Sequence, residues 1–226
     1  MARLQKIFYA RDAWSDVWGS GMKANSAWDH AYNLQGRLWG GAPFVPGLQK
    51  GLLVLELGCG NGKMSAALAE KAQDLIALDF SLHACRLARR NMSEKDNADV
   101  IVADAGALPL AADTVGAVVA NHVIGHGLYT ERAQIVREIV RVLVQGGYLL
   151  FCDFSVDDVR AQDGTEVEKN TRLRGNGITT HYFTIEEVRI LSDQLRMEDI
   201  RTSSRIMRIR GKDHPRSEIM ATLIRI

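Results

Sequence analysis

The chain has 226 residues, of which 46% are hydrophobic and 24% charged, with only 4 prolines. This length allows one domain with a full core, and the composition excludes a disordered, repetitive or low-complexity protein. The net charge of +1 argues against a surface built throughout for nucleic acid, although it is compatible with a local basic patch.

The three cysteines, Cys59, Cys85 and Cys152, are far apart and show no C-x-x-C spacing. We therefore expect neither a disulfide framework nor a metal site, and a reducing compartment is the simpler interpretation. The first residues lack the apolar core of a signal peptide, and no apolar run approaches the ~20 residues of a transmembrane helix. These features predict a cytoplasmic protein without membrane contact.

Residues 1–50 contain all four tryptophans and many Gly and Asn residues. They predict short helices followed by a lead-in punctuated by Gly and Pro. We interpret this segment as an N-terminal helical lid on a single domain that comprises residues 1–226. Trp39 and Tyr32 are candidates to fold over a bound molecule, although core packing explains each equally well.

After Gly51, short apolar runs rich in Val, Leu and Ile alternate with amphipathic stretches. The runs are too short for helices, which predicts strands that are buried on both faces. They cover residues 52–57, 75–80, 98–104, 115–121 and 148–154. Alternation of strands and helices predicts a parallel sheet covered by helices.

Helical patterns occupy residues 63–72, 81–92 and 130–143. Ser81 is the expected N-cap of the second helix and Thr130 that of the third. In the third pattern the apolar residues fall on one face, as expected for a helix that packs on a sheet.

The last third of the sequence does not continue this alternation of apolar and amphipathic segments. Residues 155–178 are polar, and we expect an irregular insertion or lid over 155–183. A helix should then begin at Thr184, with Glu187 in capping-box position. Strands at about 198–209 and 218–226, joined by a turn over 211–217, must pair antiparallel because a parallel pair needs a long crossover.

The stretch "VLELGCGNGKM" (54–64) reads as a buried strand that breaks into a glycine-rich turn, and "LIALDFS" (75–81) as a second strand that ends on Asp79. A dinucleotide site requires G-x-G-x-x-G, but Lys63 occupies the place of the third glycine. S-adenosylmethionine carries no phosphate, and bare backbone at Gly58, Gly60 and Gly62 suits its approach.

Acidic residues stand where strands end. Asp79 can accept hydrogen bonds from both ribose hydroxyls, and Asp104 can accept from the adenine amino group. Glu56 can meet the ammonium group or order the turn through water. Phe80 offers an apolar surface to the ribose and adenine, while Cys59 is expected to be a small buried filler.

The motifs "ELGCGNG", "LDFS", "ADAGALPL" and "GGYLLFCDF" resemble those of class I S-adenosylmethionine-dependent methyltransferases over about residues 50–155. The resemblance implies an α/β, Rossmann-like, doubly wound fold: a mostly parallel seven-stranded sheet with an antiparallel last strand. It implies S-adenosyl-L-methionine as cofactor, contacted by Glu56, Gly58, Gly60, Asp79 and Asp104. We add further candidates near these residues, namely Cys59, Gly62, Phe80, Ala105 and Asn121.

In this fold the acceptor faces the end of the fourth strand, here "VVANHVIGHGLY" (118–129). Asn121 and His122 are therefore the candidate catalytic residues. His122 and His126 can share a metal ion only if the segment is helical, and two ligands make a poor zinc site. The interpretation that we favour over catalysis is that His122 packs against the cofactor and His126 is a loop residue. The candidates for the acceptor pocket are Trp39, His126, His181 and Tyr182.

Two partial resemblances bear on the acceptor. The middle motifs are similar to small-molecule enzymes of the ubiquinone-biosynthesis type. The C-terminal third is similar to tRNA 3-methylcytidine methyltransferases, and residues 201–212 hold five cations and no acid. We expect a small-molecule acceptor first and RNA second. A non-catalytic S-adenosylmethionine-binding sensor or partner subunit is a third possibility, and the oligomeric state stays open.

Overall fold

One mixed sheet organises residues 7–9, 21–36, 47–209 and 211–226, which are the residues that this computed structural model describes. The strands are β1 (Ile7–Tyr9), β2 (Leu53–Leu57), β3 (Asp74–Asp79), β4 (Ala98–Val102), β5 (Val115–Asn121), β6 (Leu143–Phe154), β7 (Thr165–Glu168), β8 (Thr171–Leu173), β9 (Thr179–His181), β10 (Leu195–Ile209) and β11 (Lys212–Arg225). The helices are α1 (Gly21–Gln35), α2 (Lys63–Ala69), α3 (Leu82–Asn91), α4 (Tyr129–Val142) and α5 (Ile185–Leu191).

The strand order of the main sheet is β1-β4-β3-β2-β5-β6-β11-β10. From β4 to β6 all neighbours are parallel, whereas β11 runs antiparallel to both β6 and β10. The predicted seven-stranded, mostly parallel sheet with an antiparallel last strand is therefore confirmed. The sequence did not indicate β1, a three-residue strand that pairs parallel with β4.

The C-terminal hairpin is longer than predicted. Lys212–Ser217, expected to form a turn, belong to β11, and the chain reverses near Gly211, whose φ is +80°. The pairing of β11 with β6 ends at Glu218 and Phe154, so residues 204–209 and 212–217 of the hairpin have only each other as strand partners. This part lies outside the sheet core and keeps a polar sequence, which is why it resembled a loop.

Helix starts follow the capping chemistry at two of three predicted positions. Ser81 Oγ accepts a hydrogen bond from Ala84 N at 3.1 Å, and Thr184 Oγ1 accepts one from Glu187 N at 3.1 Å. The prediction of Thr130 as a cap was wrong. Helix α4 begins at Tyr129, and the Glu131 carboxylate accepts from the backbone N–H of Leu128 at 2.7 Å, so the helix is capped two residues before Thr130.

Two apolar layers cover the sheet. On one face, Val136 and Ile139 of α4 pack with Val188 of α5 against strand residues such as Leu55. On the other face, Leu68 of α2 and Ala88 of α3 pack with residues such as Val54. Helices on both faces explain why β2 to β5 are predominantly apolar.

The sequence predicted an irregular insertion after β6, but the insertion is ordered. It contains a 3-10 helix (Val159–Gln162) and a three-stranded antiparallel sheet of β7, β8 and β9. Backbone hydrogen bonds tie it to the main domain: His181 N donates to Gly125 O at 2.7 Å, and Phe183 N donates to Phe154 O at 2.7 Å. The insertion is thereby attached to the loop that follows β5.

No helix in the described part of the chain is long and apolar enough to cross a membrane. Cys59, Cys85 and Cys152 are all free thiols, in agreement with the expected lack of a disulfide framework.

Candidate active site

A cavity of about 970 Å³ opens beyond the carboxyl ends of β2, β3 and β5. In open α/β sheets this is where ligands bind, because the strand order switches direction there. The volume lies at the upper end of the range for small-molecule sites, roughly 300–1,000 Å³. Of the candidate cofactor residues, those that line the cavity are Glu56, Gly58, Cys59, Gly60, Asp79, Phe80, Asp104, Ala105 and Asn121.

The glycine-rich turn borders the cavity closely. Gly60 has a φ of +54°, and a Cβ there would collide with the hydroxyl of Tyr32. Gly62 is not among the residues that line the cavity, so its place in the cofactor site stays a prediction. It is the N-cap of α2 at φ +80°, and a Cβ there would lie 2.6 Å from Ala88 Cα. The lack of a side chain at this position lets the start of α2 pack closely against α3.

Asp79 organises this turn. Its Oδ2 accepts from Gly60 N and its Oδ1 from Ser81 N, each at 2.9 Å. Burial raises the pKa of Asp79 to about 6, although these backbone donors oppose the rise. Each carboxylate oxygen retains a further acceptor site, so Asp79 can hold the turn and still accept from a ligand hydroxyl.

Glu56 is fully buried at the end of β2 and lines the cavity. Its carboxylate oxygens form no hydrogen bond with any residue that the structure describes. Burial raises the pKa of Glu56 to about 7, although the nearby Ser65 hydroxyl, which forms no hydrogen bond of good geometry with it, opposes the rise. A buried carboxyl without a partner costs free energy unless a ligand supplies one. This observation fits the cationic ammonium or sulfonium of S-adenosylmethionine.

Asp104 lies on the other side of the cavity, just beyond β4. Its Oδ1 accepts from Gly106 N at 2.7 Å, and burial raises its pKa. The neighbouring walls are apolar, formed in part by Phe80 and Ala105. A carboxylate beside an apolar wall suits an adenine ring with its amino group.

Helix α1 lies against this site. Trp28 and Tyr32 both line the cavity. Asp29 anchors the helix: it accepts from Ser81 Oγ at 2.7 Å and lies 2.9 Å from His83 Nδ1, at the start of α3. Tyr32 and the helix around it therefore border the cavity, and their role as a lid stays a prediction. Trp39 falls outside the described residues.

The acceptor end is built around Asn121 and His122, which both line the cavity. His122 has a φ of +55°, uncommon for a non-glycine residue, and its ring stacks on Phe154 with centroids 4.0 Å apart. Its Nε2 lies 3.4 Å from Glu218 and its Nδ1 lies 3.8 Å from Asp153. Burial opposes protonation, but these carboxylates raise the pKa of His122.

His126 lies on the same loop and also lines the cavity. The loop is not helical, so the condition under which His122 and His126 could share a metal ion is not met. Nδ1 of His126 lies 2.9 Å from the carbonyl oxygen of Thr179 on β9. The Trp28 ring contacts the imidazole in edge geometry, with centroids 4.8 Å apart.

His181 and Tyr182 are not among the residues that line the cavity, so their role in an acceptor pocket stays a prediction. Both side chains are buried where the insertion packs against the main sheet. His181 Nδ1 lies 2.7 Å from Thr171 Oγ1, and burial lowers its pKa to about 4. Tyr182 packs near Phe154, with ring centroids 6.2 Å apart. Their aromatic character reflects packing between β9 and the main sheet.

The C-terminal hairpin completes the wall. Alternate residues of β10 line the cavity, namely Arg201, Ser203, Arg205 and Met207. Arg205 lies 3.4 Å from Glu218, and Arg201 lies 2.6 Å from Asp199. Arg208, with the opposite strand parity, is not among the lining residues. The sequence predicted that the cations would not form one stripe along the hairpin, and the opposite parity of Arg205 and Arg208 agrees with this.

Three residues of the site were not identified from the sequence. Asp29, Asp153 and Glu218 act on partners from 28 to 96 positions away in the chain. Asp153 accepts from Gly125 N at 2.7 Å and so holds the loop that carries both histidines. The one sequence signal for Asp153 is its position as an aspartate at the end of a buried strand. No sequence signal marks Glu218.

Residues 55–151 match a family model described as a methyltransferase domain. The demethylmenaquinone methyltransferase of Clavibacter sepedonicus is 35% identical over 108 residues, covering 47% of this chain and 42% of that protein. The tRNA N(3)-methylcytidine methyltransferase Mettl2 of Drosophila melanogaster is 28% identical over 159 residues, covering 65% of this chain and 49% of that protein. The malonyl-[acyl-carrier protein] O-methyltransferase of Methylococcus capsulatus is 29% identical over 160 residues, covering 69% of this chain and 55% of that protein. The chain thus spans about half the length of these relatives.

Solved structures agree on the fold. A methyltransferase from Methanosarcina mazei superposes with a TM-score of 0.66 at 22% identity, covering 79% of this chain and 95% of that chain. The N-methyltransferase NodS from Bradyrhizobium japonicum WM9, solved with S-adenosyl-L-homocysteine, gives a TM-score of 0.57 at 17% identity, covering 77% and 79%. Residues 55–151 thus match a methyltransferase domain, and the fold of the described residues is that of solved S-adenosylmethionine-dependent methyltransferases.

Proposed function

We propose that this chain transfers a methyl group from S-adenosylmethionine to a small-molecule acceptor, as a single domain. One observation carries the proposal: a single cavity runs from the carboxylates of Glu56 and Asp79 to Asn121 and His122. A cofactor and a small acceptor can therefore meet inside it. The demethylmenaquinone and malonyl-[acyl-carrier protein] methyltransferases among the relatives support an acceptor of this class.

At the cofactor end, each proposed contact follows from the chemistry of the wall. Asp79 has free acceptor sites for the ribose hydroxyls, and Asp104 has one for the adenine amino group. Glu56 faces the positively charged amino-acid portion and finds there the partner that the described chain does not provide. Gly58 and Gly60 let the backbone approach closely, and Cys59 fills the turn between them.

At the acceptor end, Asn121 and His122 position the nucleophile. When bound, the cofactor supplies a methyl group on a sulfonium, which is already activated for displacement. The chain must then hold the acceptor in line with that methyl group and exclude water. Trp28 and Tyr32 of α1 cover the cavity, which suits the second task.

RNA is the second candidate acceptor. The similarity to the tRNA methyltransferase of Drosophila melanogaster covers more of this chain than the match to the Clavibacter relative. Arg201, Arg205 and Arg208 are exposed on β10, but each lies within 4.0 Å of a carboxylate. Paired cations have less charge available for phosphates, so we place RNA behind a small molecule.

Methyl-labelled S-adenosylmethionine and an extract of the native host test the proposal. After incubation, the label is followed into small-molecule, RNA and protein fractions, with Asp79→Asn as the inactive control. We expect label in the small-molecule fraction. Label confined to RNA would replace the proposed acceptor by the second candidate. Cofactor binding without any transfer would favour a sensor or partner subunit.

A further inference from the structure

The loop after β5 carries two histidines whose environments differ sharply. His122 has a carboxylate beside each ring nitrogen, Asp153 near Nδ1 and Glu218 near Nε2. His126 has a backbone carbonyl at Nδ1 and no carboxylate within salt-bridge distance among the described residues. Two titratable groups of one kind with opposite environments often divide the acid and base roles of a site.

The contact with Thr179 determines the tautomer of His126. A carbonyl oxygen only accepts hydrogen bonds, so the 2.9 Å contact requires the proton on Nδ1. In the neutral ring Nε2 then holds a lone pair. This atom is buried and forms no hydrogen bond with any residue in the described part of the chain. His126 thus presents a buried acceptor atom at the wall of the cavity.

The charges around His126 keep the ring neutral. Burial lowers the pKa of His126, and the positive charges of His122 and Arg160, on the 3-10 helix, act in the same direction. Asp153 on β6 and the Thr179 carbonyl on β9 oppose them without reversing the shift. Trp28 of α1 contributes an uncharged ring. His122, by contrast, is held toward the protonated form by Asp153 and Glu218.

We propose that His126 Nε2 is the general base for an acceptor that begins protonated, a hydroxyl or a thiol, and that β9 of the insertion fixes it in this tautomer. The inference rests on the proposed methyltransferase function. It gives the insertion a role, because the Thr179 carbonyl is what orients the ring. Because Nε2 is buried, the acceptor reaches it only when a neighbouring side chain moves aside.

The transfer balances without another reactant. The acceptor oxygen or sulfur forms a bond to the methyl carbon while the bond from that carbon to the sulfonium sulfur breaks. The electron pair of the broken bond stays on sulfur and neutralises it. The acceptor proton moves to Nε2, so the positive charge ends on the imidazolium of His126, whose Nδ1–H still donates to Thr179. Solvent then removes the proton.

Nitrogen NMR of the full chain, labelled with ¹⁵N-histidine, tests the tautomer without any acceptor. His126→Gln identifies the His126 signals, and His30→Gln, at an exposed position of α1, serves as the matched control. We expect a neutral ring protonated at Nδ1 at pH 7.5. A ring protonated at Nε2, or a cationic ring, would overturn the inference even if methyl transfer is observed.

Rate measurements test the catalytic role, with the labelled fraction of host extract as the acceptor source. His126→Gln should lower the transfer rate by about 10²- to 10⁴-fold, the usual contribution of a general base. Its affinity for S-adenosylhomocysteine should stay that of the wild type, and His30→Gln should behave as wild type. The loss should shrink as pH rises, because the acceptor then ionises without help.

A loss that is equal at every pH and accompanied by weaker S-adenosylhomocysteine binding would mean a structural role and overturn the inference. A His126→Gln rate close to that of the wild type would do the same. No transfer by the wild-type chain would instead contradict the proposed function, whatever the tautomer.

Discussion

The carbonyl oxygen of Thr179, on the insertion, lies 2.9 Å from Nδ1 of His126, on the loop after β5. Next to this contact, His181 N donates to Gly125 O at 2.7 Å. The insertion is therefore joined to the acceptor side of the cavity through the backbone of β9. Its own aromatic side chains, which the sequence had suggested as acceptor contacts, pack beneath that attachment.

Asp79→Asn should weaken binding of S-adenosylmethionine by about 1.5–3 kcal/mol, the range for a hydrogen bond to a charged group. The amide keeps the shape of the side chain but removes the charge and one acceptor oxygen. Calorimetric titration at neutral pH measures the loss. Asp96→Asn, on an exposed turn, is the control. Equal affinities for wild type and Asp79→Asn would remove Asp79 from the cofactor site.

Glu56→Gln should stabilise the ligand-free chain at pH 8 but not at pH 4.5. The pKa of Glu56 is raised from 4.5 to about 7, so the folded chain binds more protons than the unfolded chain between these values. The contribution of Glu56 to the free energy of unfolding is therefore fully present below pH 4.5 and is lost as pH rises toward about 7. The difference at pH 8 should reach up to about 3 kcal/mol, since each tenfold change in proton affinity is worth about 1.4 kcal/mol.

Urea unfolding at both pH values measures this difference, with the exposed Glu94→Gln as control. The same Glu56→Gln variant should bind S-adenosylmethionine more weakly, because the amide cannot pair with a cation. A variant that is no more stable at pH 8 than wild type would show that the buried carboxyl has a partner in the free chain.

Gly60→Ala should destabilise the chain through two separable effects. A methyl group there collides with the Tyr32 hydroxyl, and alanine at φ +54° costs roughly 1–2 kcal/mol in backbone strain. Tyr32→Phe removes only the collision, so it should recover part of the loss in the double variant. Unfolding of the four proteins gives the coupling. Gly175→Ala, where a Cβ meets nothing within 4 Å, is the control. Purely additive effects would place Tyr32 away from the turn.

Asp158→Asn should cost about 3–5 kcal/mol of folding free energy, the range for breaking a buried ion pair. Asp158 is 3% exposed and accepts from Arg216 Nε at 2.7 Å and from Arg160 Nε at 2.9 Å. Removing its charge leaves the largely buried guanidinium of Arg216 without its counterion. Asp157→Asn, at the exposed neighbouring position, should change stability by less than about 0.5 kcal/mol. Similar losses in both variants would contradict this account.

The parallel part of the sheet could be predicted because its strands are apolar on both faces and separated by clear helix starts such as Ser81. The strands of the insertion and the outer half of the hairpin could not. Their residues pair in small, solvated sheets and carry no apolar run, so Lys212–Ser217 resembled a turn. β1 has only three residues and owes its place to pairing with β4.

The convergence of Glu56, Asp79 and Asp104 on one cavity was also predictable, because each stands near the end of an apolar strand. Gly62 could not be separated from them, because a glycine required by a positive φ and tight packing on Ala88 gives the same sequence signal as a ligand contact. The charge states at the acceptor end depend on long-range contacts. Nothing local to His122 indicates Glu218, and nothing local to His126 indicates Thr179.

Equilibrium binding of labelled S-adenosylmethionine to the full chain, with NAD as competitor, tests the central claim most directly. The glycine-rich turn, Glu56 and Asp79 predict one bound cofactor per chain, displaced by S-adenosylhomocysteine and not by NAD. Failure to bind S-adenosylmethionine, or its displacement by NAD, would contradict the assignment of the cavity and with it the proposed methyl transfer.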